Sequence, residues 1–176
     1  MKQERQRDLA THDRMSETAT GSRIERIRLT AALLTLAASG PVGQAIYSSF
    51  SNAGVRVQFG GGGRFLSILG NLVRRPGYSI GWHKVIYLDP RLANEPAEII
   101  AVYIAHKAYH ARQPILRYPF RRTEEVGAFA QQAAAWEELR IGYEGHHDNY
   151  FKRLEDVLTA SRTSIADYVK GLPIYS

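Results

Sequence analysis

Hydrophobic and polar positions change their period several times along the chain, and each change marks an element. The apolar stretch "LTAALLTLAASG" (29–40) belongs to a helix over about 22–38. Ser22-Arg23-Ile24-Glu25 supplies a capping box at its start, and Gly40-Pro41 stops it. A turn and a short helix ending near Gly54 follow. "VRVQF" (55–59) alternates and is β-branched, which predicts a strand. "SIGWHKVIYLDP" (79–90) alternates over a longer run, with Ile80, Trp82, Ile86 and Leu88 on one face. It predicts one strand closed by Asp89-Pro90. Pro96 opens a helix at its first turn, Glu98 favours the positive dipole end, and Pro114 forbids continuation past about Arg112. Thr123 is placed to cap the next helix, which holds Glu124 and Glu125 in its first turn and extends to about Arg140. Two more helical pieces are expected near 146–159 and 161–170. Residues 1–21 are predicted to form a disordered or loosely helical tail, because balanced charge there is broken by few apolar residues. The expected fold is α+β: a mostly helical single domain over 22–176, with a small sheet containing 55–59 and 79–88.

Composition narrows the chemistry. The chain of 176 residues has no cysteine, so disulfides and thiolate metal sites are excluded and any metal must be held by His, Asp or Glu. A net charge of +6 permits contact with nucleic acid or anionic lipid without demanding it. The 29–40 stretch falls short of the roughly 20 apolar residues that a spanning helix takes. A signal peptide behind so long a mixed-charge leader would be unusual. The expectation is therefore a cytoplasmic protein without a transmembrane segment. Secretion stays open, since a secreted protein can also lack cysteine.

One face of the 96–112 helix carries Ile99, Val102, Tyr103, His106, His110 and Gln113 at helical spacing. His106 and His110 therefore point the same way, one turn apart, which suits two imidazoles sharing one metal ion. On the following helix Glu125, Ala128, Phe129, Gln132, Trp136 and Leu139 share a stripe. A carboxylate on a buried stripe is costly unless it is paired or ligating, so Glu125 is the candidate third ligand. The plain alternative is that Glu124 and Glu125 complement the helix N-terminus in solvent, and which of the two would ligate is open.

"VYIAHKAYHARQ" followed by "RTEEVGAFAQQAAAWEEL" resembles the gluzincin-type zinc metallopeptidases, which carry H-E-x-x-H on one helix and a glutamate in an E-x-x-A pattern on the next. The resemblance covers about residues 79–140 and implies a zincin-like helix pair. It implies zinc as cofactor, held by His106, His110 and Glu125. It also implies a peptide or protein segment lying along an edge strand at 84–88.

The base position departs from the pattern. Where the resemblance implies a glutamate taking a proton from zinc-bound water, this chain has Lys107. An ammonium about 5 Å from a dication costs roughly 7 kcal/mol at an effective dielectric near 20. The lysine head can swing to Glu124 or bulk water. Alternatively, the site is empty of metal and Lys107 pairs with Glu125 in a relic pocket. A third option, a deprotonated lysine acting as base, needs a large pKa depression. The implied function is a metallopeptidase-like protein, catalytically impaired, with its zinc retained or lost.

Other features carry less. The run "GGGG" (60–63) lacks the Gly-Lys-Ser/Thr of a phosphate loop and reads as a flexible loop. Residues 64–79 read as either a short helix or an irregular arm. Arg112, Arg117, Arg121 and Arg122 interleave with Tyr118 and Phe120, and Arg74-Arg75 stand near Tyr78. This is a candidate nucleic-acid surface, for which a solvated basic rim is the plainer reading. A non-catalytic protein-interaction module is a further alternative, using strand 84–88 for strand addition. His83, His146 and His147 are expected at the surface, and Trp136 in the core.

Overall fold

Ser22 starts the first helix as its sequence foretells. In the computed structural model, which describes residues 18–60, 77–80, 85–112, 122–142, 156, 158 and 162–171, the Glu25 N–H donates to Ser22 Oγ and the Ser22 N–H donates to Glu25 Oε2. Helix α1 (Arg23–Ala38) buries Leu29, Ala32, Leu33 and Leu36, one face at helical spacing. Helix α2 (Pro41–Asn52) begins with proline at its first turn, where the missing N–H costs nothing.

The sheet is larger than its sequence signal. Strand β1 (Ala19–Thr20) pairs parallel with β2 (Arg56–Phe59), and β2 pairs parallel with β4 (Val85–Leu88). Strand β3 (Gly77–Ile80) runs antiparallel to β4, giving the order β1-β2-β4-β3. Three expectations change here. The run 79–90 holds parts of two strands, because residues 77–80 fold back to pair with 85–88, with Ser79 opposite Ile86. Strand β4 has neighbours on both sides, so it offers no free edge for a peptide, and the outer described strand on that side is β3. The last residues of the expected tail, Ala19 and Thr20, form β1, and Ala19 is buried in the core.

A 3-10 turn (Pro90–Asn94), capped by Asp89 accepting from the Arg91 N–H, leads to helix α3 (Ala97–Ala111). Helix α3 is buried almost all round, from Ile99 through Ala108, because it lies among α1, α2, α4 and strands β3 and β4. Helix α4 (Arg122–Leu139) packs along it, and helix α5 (Arg162–Lys170) packs on α4. Thr123 falls inside α4 instead of capping it. Trp136 is fully buried, as its stripe predicts.

A continuous apolar core joins α1, the sheet, α3 and α4, in keeping with the expected α+β class. No described helix is long and apolar enough to cross a membrane. The expectations for residues 1–17, for 61–76 with Arg74 and Arg75, and for Trp82 and His83 lie outside the described residues. So do Gln113, Pro114, Arg117, Tyr118, Phe120, Arg121, His146 and His147.

Candidate metal centre

Helical spacing delivers the two histidines to one point. His106 and His110, one turn apart on α3, face α4 with their Nε2 atoms 3.2 Å from each other. Glu125, in the first turn of α4, meets them from the neighbouring helix. Its Oε2 lies 3.5 Å from His106 Nε2 and its Oε1 lies 3.5 Å from His110 Nε2. Taking one donor atom from each residue, all three lie within 4.8 Å of one another. All three residues are buried. Glu124 is not part of this group, so of the two adjacent glutamates it is Glu125 that meets the histidines.

Zinc–ligand distances of about 2.0–2.1 Å put neighbouring donors of a tetrahedral site about 3.3 Å apart. The 3.2 Å between the two Nε2 atoms is close to that edge, and each imidazole nitrogen has its own Glu125 oxygen at 3.5 Å. Proton counting points the same way. His106 Nδ1 lies 2.9 Å from Gln132 Oε1, a carbonyl oxygen that can only accept, which favours the tautomer with the proton on Nδ1 and a lone pair on Nε2. The ionised carboxylate has no proton either. In that tautomer the His106–Glu125 contact sets lone pair against lone pair, an arrangement that a cation would relieve.

The protonation states suit this role. Burial pulls the His106 imidazole down to about 4, opposed by the neighbouring Glu125 carboxylate and reinforced by the charge of Lys107, so the ring is neutral at pH 7. Burial pushes the Glu125 carboxyl up, but hydrogen bonds and charge from His106 and His110 outweigh it and hold the group well below the ordinary carboxylate range. With His106 itself neutral near pH 7 and bare at Nε2, the direction for Glu125 rests on its contact with His110 and on its place in the first turn of α4, where the helix dipole favours an anion. Neutral imidazole and ionised carboxylate are the forms that bind metals.

Lys107 is only 2 % exposed, which rules out the escape of its head group to bulk water. Positive charge on Lys107 would lower the His106 value, which puts Lys107 within electrostatic reach of the cluster.

Two further side chains reach the site without a motif to mark them. Gln132 touches His106 directly and is 1 % exposed. Its signal was a polar residue on an otherwise apolar stripe, two turns after Glu125. Tyr168, on α5, meets Phe129 edge to face at 5.3 Å, and Phe129 in turn meets the His106 ring at 4.8 Å. Burial and the charge of Glu125 raise the Tyr168 hydroxyl above its ordinary value. No local pattern marks Tyr168, because only the packing of α5 on α4 brings it near.

Comparison with protein-family models, with curated proteins and with solved structures gives no significant match in any of the three. A buried His-His-Glu cluster at metal-binding distance is what stands without them.

Proposed function

We propose that this chain is a zinc-binding domain of gluzincin-like type whose peptide hydrolysis is impaired by the lysine at its base position. The observation that carries the reading is the convergence of His106, His110 and Glu125, from two neighbouring helices, with one donor atom of each within 4.8 Å of the others. In this reading the domain takes in residues 22–176 together with β1.

His106 and His110 would hold the ion through their Nε2 atoms, and Glu125 would add the single negative charge. Zinc bound there would supply Lewis acidity toward a carbonyl oxygen. Lys107, in its ammonium form, has no lone pair with which to take a proton. It also adds positive charge beside a prospective dication, where a glutamate would subtract it. The same substitution thus weakens both metal affinity and proton abstraction.

The test begins with elemental analysis of protein equilibrated with zinc and desalted. Bound zinc is expected in the wild type and none in His110→Ala. Equal, negligible zinc in both removes the ligand assignment. Lys107→Glu is then assayed on a peptide library, where a restored general base is expected to raise cleavage by about 10²–10⁴-fold. No change in cleavage, with zinc bound, would sink the assignment of Lys107 to the base position.

A non-catalytic interaction module is the second reading. It is favoured by β3, the outer described strand beyond β4, which could receive a partner strand.

A further inference from the structure

We propose that Gln132 is a positioning residue of the metal centre, whose carbonyl oxygen keeps the His106 proton on Nδ1 and so aims the bare Nε2 at His110 and Glu125. The inference rests on the zinc-binding reading but is measurable apart from it.

The contact is short, at 2.9 Å, between two side chains that are both buried. A neutral imidazole carries one proton, and the ring nitrogen that faces an acceptor takes it. With Nδ1 so committed, Nε2 is left as a lone pair in the direction of the other two ligands. Phe129 supports the same ring edge to face at 4.8 Å, which holds its orientation as well as its tautomer.

Packing alone does not account for a glutamine here. Its neighbours on the stripe, Phe129, Ala135, Trp136 and Leu139, are apolar and buried. Its amide Nε2 is buried with no hydrogen-bond partner among the described residues. An unsatisfied buried N–H is destabilising, and leucine would occupy this position without it. The gain that offsets it is the bond to His106.

The two histidines are consequently unequal. His110 Nε2 lies 3.2 Å from His106 Nε2, and the proton between them belongs to His110 because His106 Nε2 has none. His106 is a preformed ligand, whereas His110 must give up its Nε2 proton before it can ligate.

The experiment reads imidazole nitrogen shifts by ¹⁵N NMR in metal-free protein, and zinc affinity by competition with a chelator. Wild type, Gln132→Leu and Gln132→Glu are compared. In wild type His106 is expected as the Nδ1–H tautomer. Gln132→Leu removes the acceptor, so His106 moves toward the Nε2–H tautomer and zinc affinity falls by about 10–100-fold. Gln132→Glu keeps an acceptor and is expected to keep both the tautomer and the affinity, whereas a purely space-filling role would leave the tautomer unchanged in Gln132→Leu as well.

An Nε2–H tautomer in wild type overturns the proposal. So does an unchanged tautomer in Gln132→Leu. Should that variant fail to fold, the wild-type tautomer and Gln132→Glu decide: loss of the Nδ1–H form in either overturns it. A wild type that shows the Nδ1–H tautomer but binds no zinc supports the hold of Gln132 on His106 and defeats the metal reading alone.

Discussion

Glu125 and Glu138 lie on the same helix, and both carboxylates reach across to another helix. Their partners differ in kind. Glu138 accepts from the backbone N–H groups of Val42 and Gly43 at 2.9 Å each, and from the Ser39 hydroxyl at 3.3 Å. Those N–H groups are orphan donors at the start of α2, whose cap position is Gly40 and brings no side chain of its own. A Cβ on Gly40 would come within 2.6 Å of the Glu138 carboxyl carbon, so the missing side chain is what lets the carboxylate in. Glu138 therefore does the work of an N-cap from a distance. Glu125 meets imidazole nitrogens instead, groups that can exchange a proton for a metal ion. Fixed amide donors make a carboxylate structural, and exchangeable nitrogens make one available for chemistry.

The largest expected effect separates the two by metal. Glu125→Gln should lower zinc affinity by more than about 100-fold, beyond the range of outer-shell changes. Glu138→Gln should leave it unaltered. Zinc titrations of both variants check this, and equal losses would erase the distinction.

The second effect is one of pH on metal-free protein. His106 is held at about 4 when folded against an ordinary 6.5. Between those values the unfolded chain binds the extra proton, so stability rises with pH across the window and is lost as pH falls from 6.5 toward 4. The gap is worth at most about 3 kcal/mol. Glu125, also depressed, acts in the same direction: its contribution is present above the ordinary 4.5 and lost on further acidification. Urea midpoints measured from pH 7 to pH 4 should show the slope in wild type and a flatter profile in His106→Asn.

Third, Glu138→Ala should cost about 2 kcal/mol by stranding two helix-end donors, with no change in zinc affinity. Chemical denaturation checks the first half and chelator competition the second.

The smallest effect concerns the contact between the two helices. The Tyr109 hydroxyl sits against Gly127, where a Cβ would overlap it. Gly127→Ala should destabilise by about 1 kcal/mol as the tyrosine shifts. Because the Tyr109 ring lies 6.0 Å from that of His110, the same change should also weaken zinc binding slightly. An alanine variant as stable as wild type would show that the helix spacing has slack.

Much of this architecture follows from short-range rules. The Ser22–Glu25 capping box, proline at the first turn of α2, and the shared face of His106 and His110 all depend on neighbours within one turn, and sequence spacing fixes such geometry. The α+β class follows from the same periodicities. The stripe holding Glu125 was also legible, because it repeats at helical spacing. What escaped was set by partners distant in the chain. The run 79–90 alternates as one strand would, and only the pairing of Ser79 with Ile86 shows that the chain turns back on itself. Strand β4 reads as an edge until β2 and β3 flank it. Lys107 reads as a solvent-reaching lysine until the packing around α3 buries it. Glu138 and Gln132 look like ordinary polar residues of a helix, and their roles appear only when Val42, Gly43 and His106 come within hydrogen-bond range. By itself the sequence determined which side chains share a helix face, because the turn of a helix is a local property. Tertiary structure decided which of those faces meet and which polar atoms are left to one another, because hydrogen bonds and burial depend on what the rest of the chain brings alongside.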